Sequence, residues 1–118
     1  MSGPRRALGD AGEAAVAGWY EAAGFAVVAR NWRRREVEID LVVRRDDVLV
    51  FCEVKTRRSD RFGHPAEAVT VAQQSRIRRL AAIFLAECGG RSGRVRFDVA
   101  AVRPTADGWD VEVIADAF

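Results

Sequence analysis

The chain has 118 residues, 49% of them hydrophobic and 31% charged, with a formal net charge of +2. That length makes one domain able to bury an ordinary core without disulfide or metal staples. No apolar run approaches the ~20 residues that cross a bilayer, and plentiful aliphatic residues at low net charge exclude disorder for most of the chain.

Residues 1–7 read as a flexible tail and residues 8–118 as a single domain. Arg5 and Arg6 stand near the start, but Asp10 and Glu13 interrupt the alanine-rich stretch that follows. A signal peptide needs an unbroken apolar run there, so a cytoplasmic protein with no membrane role is expected. Asp10 followed by Glu13 has the spacing of a capping box, and a helix is predicted from about Asp10 to Ala23, ended by Gly24. Phe25 to Trp32 alternate weakly as a first strand.

From Val37 the alternation is clear, with Val37, Ile39, Leu41 and Val43 expected on one face and Glu38, Asp40, Val42 and Arg44 on the other. Arg45-Asp46-Asp47 is polar, and Val48 to Val54 is a second run, which makes a β-hairpin turning at Asp46-Asp47. A charged loop covers residues 56–66. A helix is predicted over Val71 to Glu87, with Ile77, Leu80, Ala81 and Phe84 at helical spacing and Gly89-Gly90 as its stop. Strands at Val95 to Val102 and Trp109 to Ile114, joined by a turn from Pro104 to Gly108, complete the chain. Cys52 and Cys88 sit in apolar settings and read as two reduced, buried thiols. His64, the single histidine, has no partners for a nucleophilic triad.

Of the 19 basic residues only Lys55 is a lysine. The arginines cluster at 33–35, 44–45, 57–61 and 76–79, and a guanidinium is a planar fork suited to phosphate oxygens. Taken cluster by cluster, a solvated surface is the preferred reading. The hairpin carries a sharper signal. With Asp46 and Asp47 at the turn, Asp40 falls directly opposite Glu53, and facing Cβ atoms lie ~4.5–5.5 Å apart. Lys55, two residues on, shares the face of Glu53. A register shift of two keeps the three groups together, whereas a shift of one separates them. Two facing carboxylates repel, and a divalent cation with a preference for hard oxygen ligands relieves that repulsion. The alternative is an ordinary ion pair of Lys55 with Glu53 or Asp40. Against it, Glu53 follows the apolar run Val48 to Cys52, typical of a strand covered on both faces.

Val37-Glu38-Ile39-Asp40-Leu41 followed by Phe51-Cys52-Glu53-Val54-Lys55-Thr56-Arg57 is similar to the active-site hairpin of the PD-(D/E)XK nuclease superfamily. The chain as a whole resembles the YraN-type bacterial proteins, an endonuclease-like branch of that group. The likeness takes in Gly12-Glu13, Arg30-Asn31, Phe62-Gly63, Arg96-Phe97-Asp98 and Ala117-Phe118. It implies an α/β, restriction-endonuclease-like core, a mixed central sheet flanked by helices in the order α-β-β-β-α-β-β. It also implies Asp40 and Glu53 as metal ligands and Lys55 as the catalytic lysine, with Glu13 assisting the metal or its water. Glu13 shares a helix face with Val16, Ala17 and Tyr20, and its rival reading is a capping-box glutamate. The expected cofactor is Mg²⁺ or Mn²⁺, and the expected reaction is hydrolysis of DNA phosphodiesters, in branched or structured DNA. DNA is favoured over RNA as partner, a homodimer is plausible, and Arg33, Arg34, Arg57, Arg58 and Arg76 are candidates for contact with phosphates. The alternative is a non-catalytic nucleic-acid-binding protein of the same fold. Two departures favour it. Val37 stands where the family usually has Gly and suggests a more regular strand, and Gln73 stands where the second helix usually carries a lysine.

Overall fold

The computed structural model describes residues 4–35, 37–57, 69–88 and 93–118. Its first helix, α1, runs Pro4–Ala22, back into the stretch expected as a tail. Proline suits a first helical turn, where its missing N–H leaves nothing unsatisfied. Asp10 and Glu13 therefore lie inside the helix, and the expected capping box is not its start. The end falls as predicted, since Gly24 adopts φ 91°, a left-handed conformation that glycine enters without steric cost.

Five strands follow the helix: β1 (Ala26–Arg34), β2 (Val37–Arg45), β3 (Val48–Thr56), and, after helix α2 (Val71–Glu87), β4 (Arg94–Thr105) and β5 (Gly108–Ile114). They form one sheet in the order β1-β2-β3-β4-β5. Every neighbouring pair is antiparallel except β3 with β4, which is parallel. A parallel pair needs a crossover connection, and the segment containing α2 supplies it. The fold is α/β, with a five-stranded mixed sheet and two helices.

The helices cover opposite faces. Ile77, Leu80, Ala81 and Phe84 of α2 pack with Leu49 and Phe51 of β3, while Val16, Ala17 and Tyr20 of α1 pack with Val50 and Cys52. Successive β3 residues thus enter different cores, which is why this strand is apolar at nearly every position. The β2–β3 register agrees with a turn at Asp46-Asp47, with Arg45 opposite Val48 and Leu41 opposite Cys52. Asp46 takes φ 54° in that turn, a conformation that Asp tolerates better than most side chains.

β4 is longer than expected and runs through Pro104 to Thr105. Its pairing with β3 stops at Val102, so the missing proline N–H is not needed from that side. Cys52 is buried as expected, but Cys88 is exposed because it caps the end of α2. No helix among the described residues is long and apolar enough to cross a membrane. Arg58, Arg61, Phe62, Gly63, His64 and Pro65 lie outside the described residues, as do Gly89 and Gly90.

Candidate active site

The site is built where two strands part. β2 and β3 pair from the turn only as far as Leu41 and Cys52. Beyond that point β2 stays on β1, out to Val37 opposite Arg34, and β3 stays on β4, out to Thr56 opposite Val102. Asp40 is the first β2 residue inside the fork. Its Oδ2 accepts the Val54 N–H at 2.8 Å, taking the place of the strand carbonyl that has moved away.

The alternation of β2 also breaks there. Leu41 and Val43 face α1, but Val37 and Ile39 belong with Val42 on the α2 side. The four do not share one face, and β2 is not the regular strand that Val37 suggested. Across the ladder, Arg30 meets Leu41 and Trp32 meets Ile39, so Asn31 and Asp40 are the residues between. Asn31 adopts φ 51°, a left-handed conformation that Asn tolerates. Both strands deform at the same level, and the deformation turns Asp40 into the fork.

Glu53 and Lys55 come from β3. Glu53 and Asp40 lie close enough for each carboxyl to shift the other's pKa, and Lys55 Nζ is ion-paired with Glu53 Oε1 at 3.9 Å. Burial, and then the charge of Asp40, push the Glu53 carboxyl up to about 9. Asp40 is also raised by burial, while the hydrogen bonds from Glu53 and the Val54 N–H oppose that shift. Two carboxyls crowded together in a buried place each resist ionisation.

Glu13 reaches this end of the sheet because α1 seats tightly on it. A Cβ on Gly12 would stand 2.8 Å from Thr56 Oγ1 and 2.9 Å from Val102 Cγ1, so only glycine allows the approach. Burial raises the Glu13 carboxyl to about 7, and the charges of Asp40 and Glu38 add to the rise. Its Oε1 is buried with no hydrogen-bond partner, an unsatisfied acceptor of the kind native proteins rarely leave.

Among the described residues, no three His, Cys, Asp or Glu side chains are arranged to hold a metal ion. The expected trio of Asp40, Glu53 and Glu13 is therefore not assembled as a ligand set. The two strand carboxyls crowd one another, and Glu13 meets Asp40 through its charge. The donor chemistry nevertheless suits a hard divalent cation, with two mutually crowded carboxyls and an orphaned carboxyl oxygen in the field of one of them.

A cleft of about 330 Å³ opens beside Glu53, lined also by Val37, Glu38, Gln73, Arg76 and Ile77. Gln73 is committed to the helix start. Its Oε1 accepts the Thr70 N–H at 3.0 Å and its N–H donates to Thr70 Oγ1 at 3.1 Å, a full capping box. The Thr-x-x-Gln spacing is the signal of this box in the sequence, and comparison with the family's lysine alone misses it. Glu38, a further carboxylate on this cleft, is missed in the same way, although it lies two residues before Asp40.

The arginine candidates divide. Arg33 is ion-paired with Glu38, and Arg34 with Glu87, its Nη2 at 2.5 Å from Oε1. Arg34 also stacks over Trp32, 4.3 Å from the ring centroid. Arg57 donates its backbone N–H to Val102 at the mouth of the fork. Arg76 opens onto the cleft, and Arg58 is outside the described residues.

Similarity to known proteins extends over most of the chain. The model of the uncharacterised protein family UPF0102 matches residues 12–102. A UPF0102 protein of Symbiobacterium thermophilum is 50% identical over 103 residues, 87% of each chain. One from Beutenbergia cavernae is 52% identical over 102 residues, 86% of each. Another, from Frankia casuarinae, is 51% identical over 113 residues, covering 95% of this chain and 96% of its own. With the family model spanning most of the sequence and half the residues shared with full-length relatives, the chain belongs to the uncharacterised protein family UPF0102.

Proposed function

We propose that this chain is a divalent-cation-dependent endonuclease of restriction-endonuclease-like fold that hydrolyses DNA phosphodiester bonds. The observation that carries the reading is the fork, where the Asp40 and Glu53 carboxyls crowd each other and Lys55 Nζ stands 3.9 Å from Glu53, beside an open cleft. A scaffold gains nothing from two carboxylates so placed.

Asp40, Glu53 and the unsatisfied oxygen of Glu13 are the residues that would hold Mg²⁺ or Mn²⁺, which supplies charge neutralisation at the phosphate and a lowered pKa for water. A raised Glu53 carboxyl would release any proton it held on taking up such a charge, so binding would be coupled to pH. Glu13, its carboxyl raised by burial to about 7, would assist the cation or its water from α1. Lys55 offsets charge that develops on the phosphate oxygens. Arg76, at the cleft, is placed to hold a flanking phosphate without regard to sequence. Cutting both strands of a duplex would call for two copies of the chain.

The test is incubation of purified protein with labelled linear, nicked and four-way DNA in Mg²⁺, Mn²⁺ or EDTA. Cleavage is expected only with the cations, and Asp40→Asn should lower it by a factor on the order of 10²–10³ or more. DNA binding that survives Asp40→Asn, with no cleavage of any substrate, would instead favour the non-catalytic alternative, for which the engagement of Gln73 in helix capping is the supporting observation.

A further inference from the structure

A second groove, of about 410 Å³, lies along α2 and joins the cleft at Glu53 through two shared residues, Val37 and Arg76. Arg34 and Arg35 reach it from the end of β1 and the turn after it, and Arg76 and Arg79 from α2. Among the described residues Glu87 is the one carboxylate on its wall, and it is already paired with Arg34. Neither Arg76 nor Arg79 has an ion-pair partner among the described residues.

The floor is apolar. Val37, Leu80 and Ile83 supply it, and Ile83 is 36% exposed. Arg35 adopts φ 57°, a backbone state that a long side chain enters at a cost and that Gly or Asn would fill more easily. Along α2 the wall from Gln73 to Glu87 spans roughly 21 Å at ~1.5 Å per residue, enough for several successive phosphates.

We propose that this groove holds an unpaired strand of the nucleic-acid substrate next to the scissile phosphate. This rests on the nuclease reading and names the substrate class for that same site. A paired duplex presents its phosphates and turns its bases inward, so it has no apolar part to lay on Val37, Leu80 and Ile83. An unpaired strand presents both, with phosphates for the four arginines and base faces for the floor and the guanidinium planes.

The experiment measures binding in EDTA by fluorescence anisotropy, using a labelled single strand of about 12 nucleotides and a blunt duplex of equal length. The wild type should bind the single strand more tightly than the duplex. Arg76→Ala/Arg79→Ala should weaken single-strand binding about tenfold, and should flatten the plot of log K against log salt by about 1.4, at ~0.7 for each phosphate no longer neutralised. Arg44→Ala, at the far end of β2, should leave binding unchanged. Equal binding by the double variant and wild type, a matching loss in Arg44→Ala, or a preference for blunt duplex would each overturn the proposal. If the groove binds as described while no DNA is cut in Mg²⁺ or Mn²⁺, the groove stands and the nuclease reading fails. Cation-dependent cleavage with unaltered binding by the double variant gives the reverse.

Discussion

Asp98 and Asp40 are both aspartates set into the sheet, and their surroundings differ in kind. Asp98, wholly buried on β4, receives the Tyr20 hydroxyl at 2.6 Å, both arms of Arg96 at 2.9 Å and the Asp116 N–H at 3.0 Å. A cation and neutral donors account for its charge, and they tie α1, β4 and the C-terminal segment together. Asp40 has one backbone N–H and the opposing charge of Lys55, yet it is crowded by Glu53 and Glu38, and burial and then Glu38 raise its pKa. A satisfied carboxylate is a strut. One left among its own kind is a cost to the fold, retained for something that binds there.

The largest expected effect breaks the strut. Asp98→Ala leaves a part-buried guanidinium and a buried hydroxyl without their acceptor, and losing one partner of a buried pair costs about 3–5 kcal/mol. Thermal unfolding should show Tm lower by about 15 °C. Asp40→Ala deprives the Val54 N–H of its acceptor but also removes a repulsive charge, so its stability should stay within about 1 kcal/mol of wild type. Equal losses in the two variants would erase the distinction.

Much of this is legible in the sequence, and the failures share a cause. The hairpin register follows from Asp46-Asp47 and from alternation in the strands beside it. The same alternation continues through Val37 and Ile39 without a visible break, although those residues change sides. Because helices cover both faces, either core accepts an aliphatic residue, and the pattern cannot show the flip at Asp40. The start of α1 is misplaced because Asp10 and Glu13 mimic a cap, whereas their helix is positioned by Gly12 against Thr56 and Val102. Asp98 stands in a motif carried by resemblance alone, since its partner Tyr20 is 78 residues away. The pairing of Arg34 with Glu87, 53 residues apart, is equally invisible, while that of Arg33 with Glu38, five apart, is within reach of a local reading.

A middle-sized effect sharpens the comparison through pH. The Glu53 carboxyl titrates at about 9 in the folded chain against an ordinary 4.5. Between those values the folded state holds a proton that the unfolded chain has released, so stability is greatest at the acid end of the window and falls as pH rises towards 9. Asp40 is shifted in the same direction. In EDTA, Tm should be lower at pH 9 than at pH 5 by about 5 °C, a loss of ~1–2 kcal/mol. Glu53→Gln, which stays neutral throughout, should flatten the slope. Mg²⁺ or Mn²⁺ should restore part of the loss at pH 9 in the wild type and none of it in Glu53→Gln. A slope unchanged in that variant would place the pH dependence elsewhere.

The smallest effect concerns Glu13, whose unpaired oxygen makes it the least satisfied acid of the group. Its carboxyl is raised to about 7 by burial and by the charges of Asp40 and Glu38. Above pH 7 it is therefore ionised at the expense of stability, and the sign matches that of Glu53. Glu13→Gln keeps the shape and removes the charge. At pH 8, Tm should be unchanged or slightly higher than in the wild type, and below pH 5, where the wild-type carboxyl is already neutral, the two should coincide. Tyr20→Phe, which removes one donor from the satisfied Asp98, should instead lose about 1–3 kcal/mol at both pH values. A marked loss of Tm in Glu13→Gln would mean that α1 depends on this side chain for its seat, and the orphaned oxygen would no longer separate the site from the scaffold.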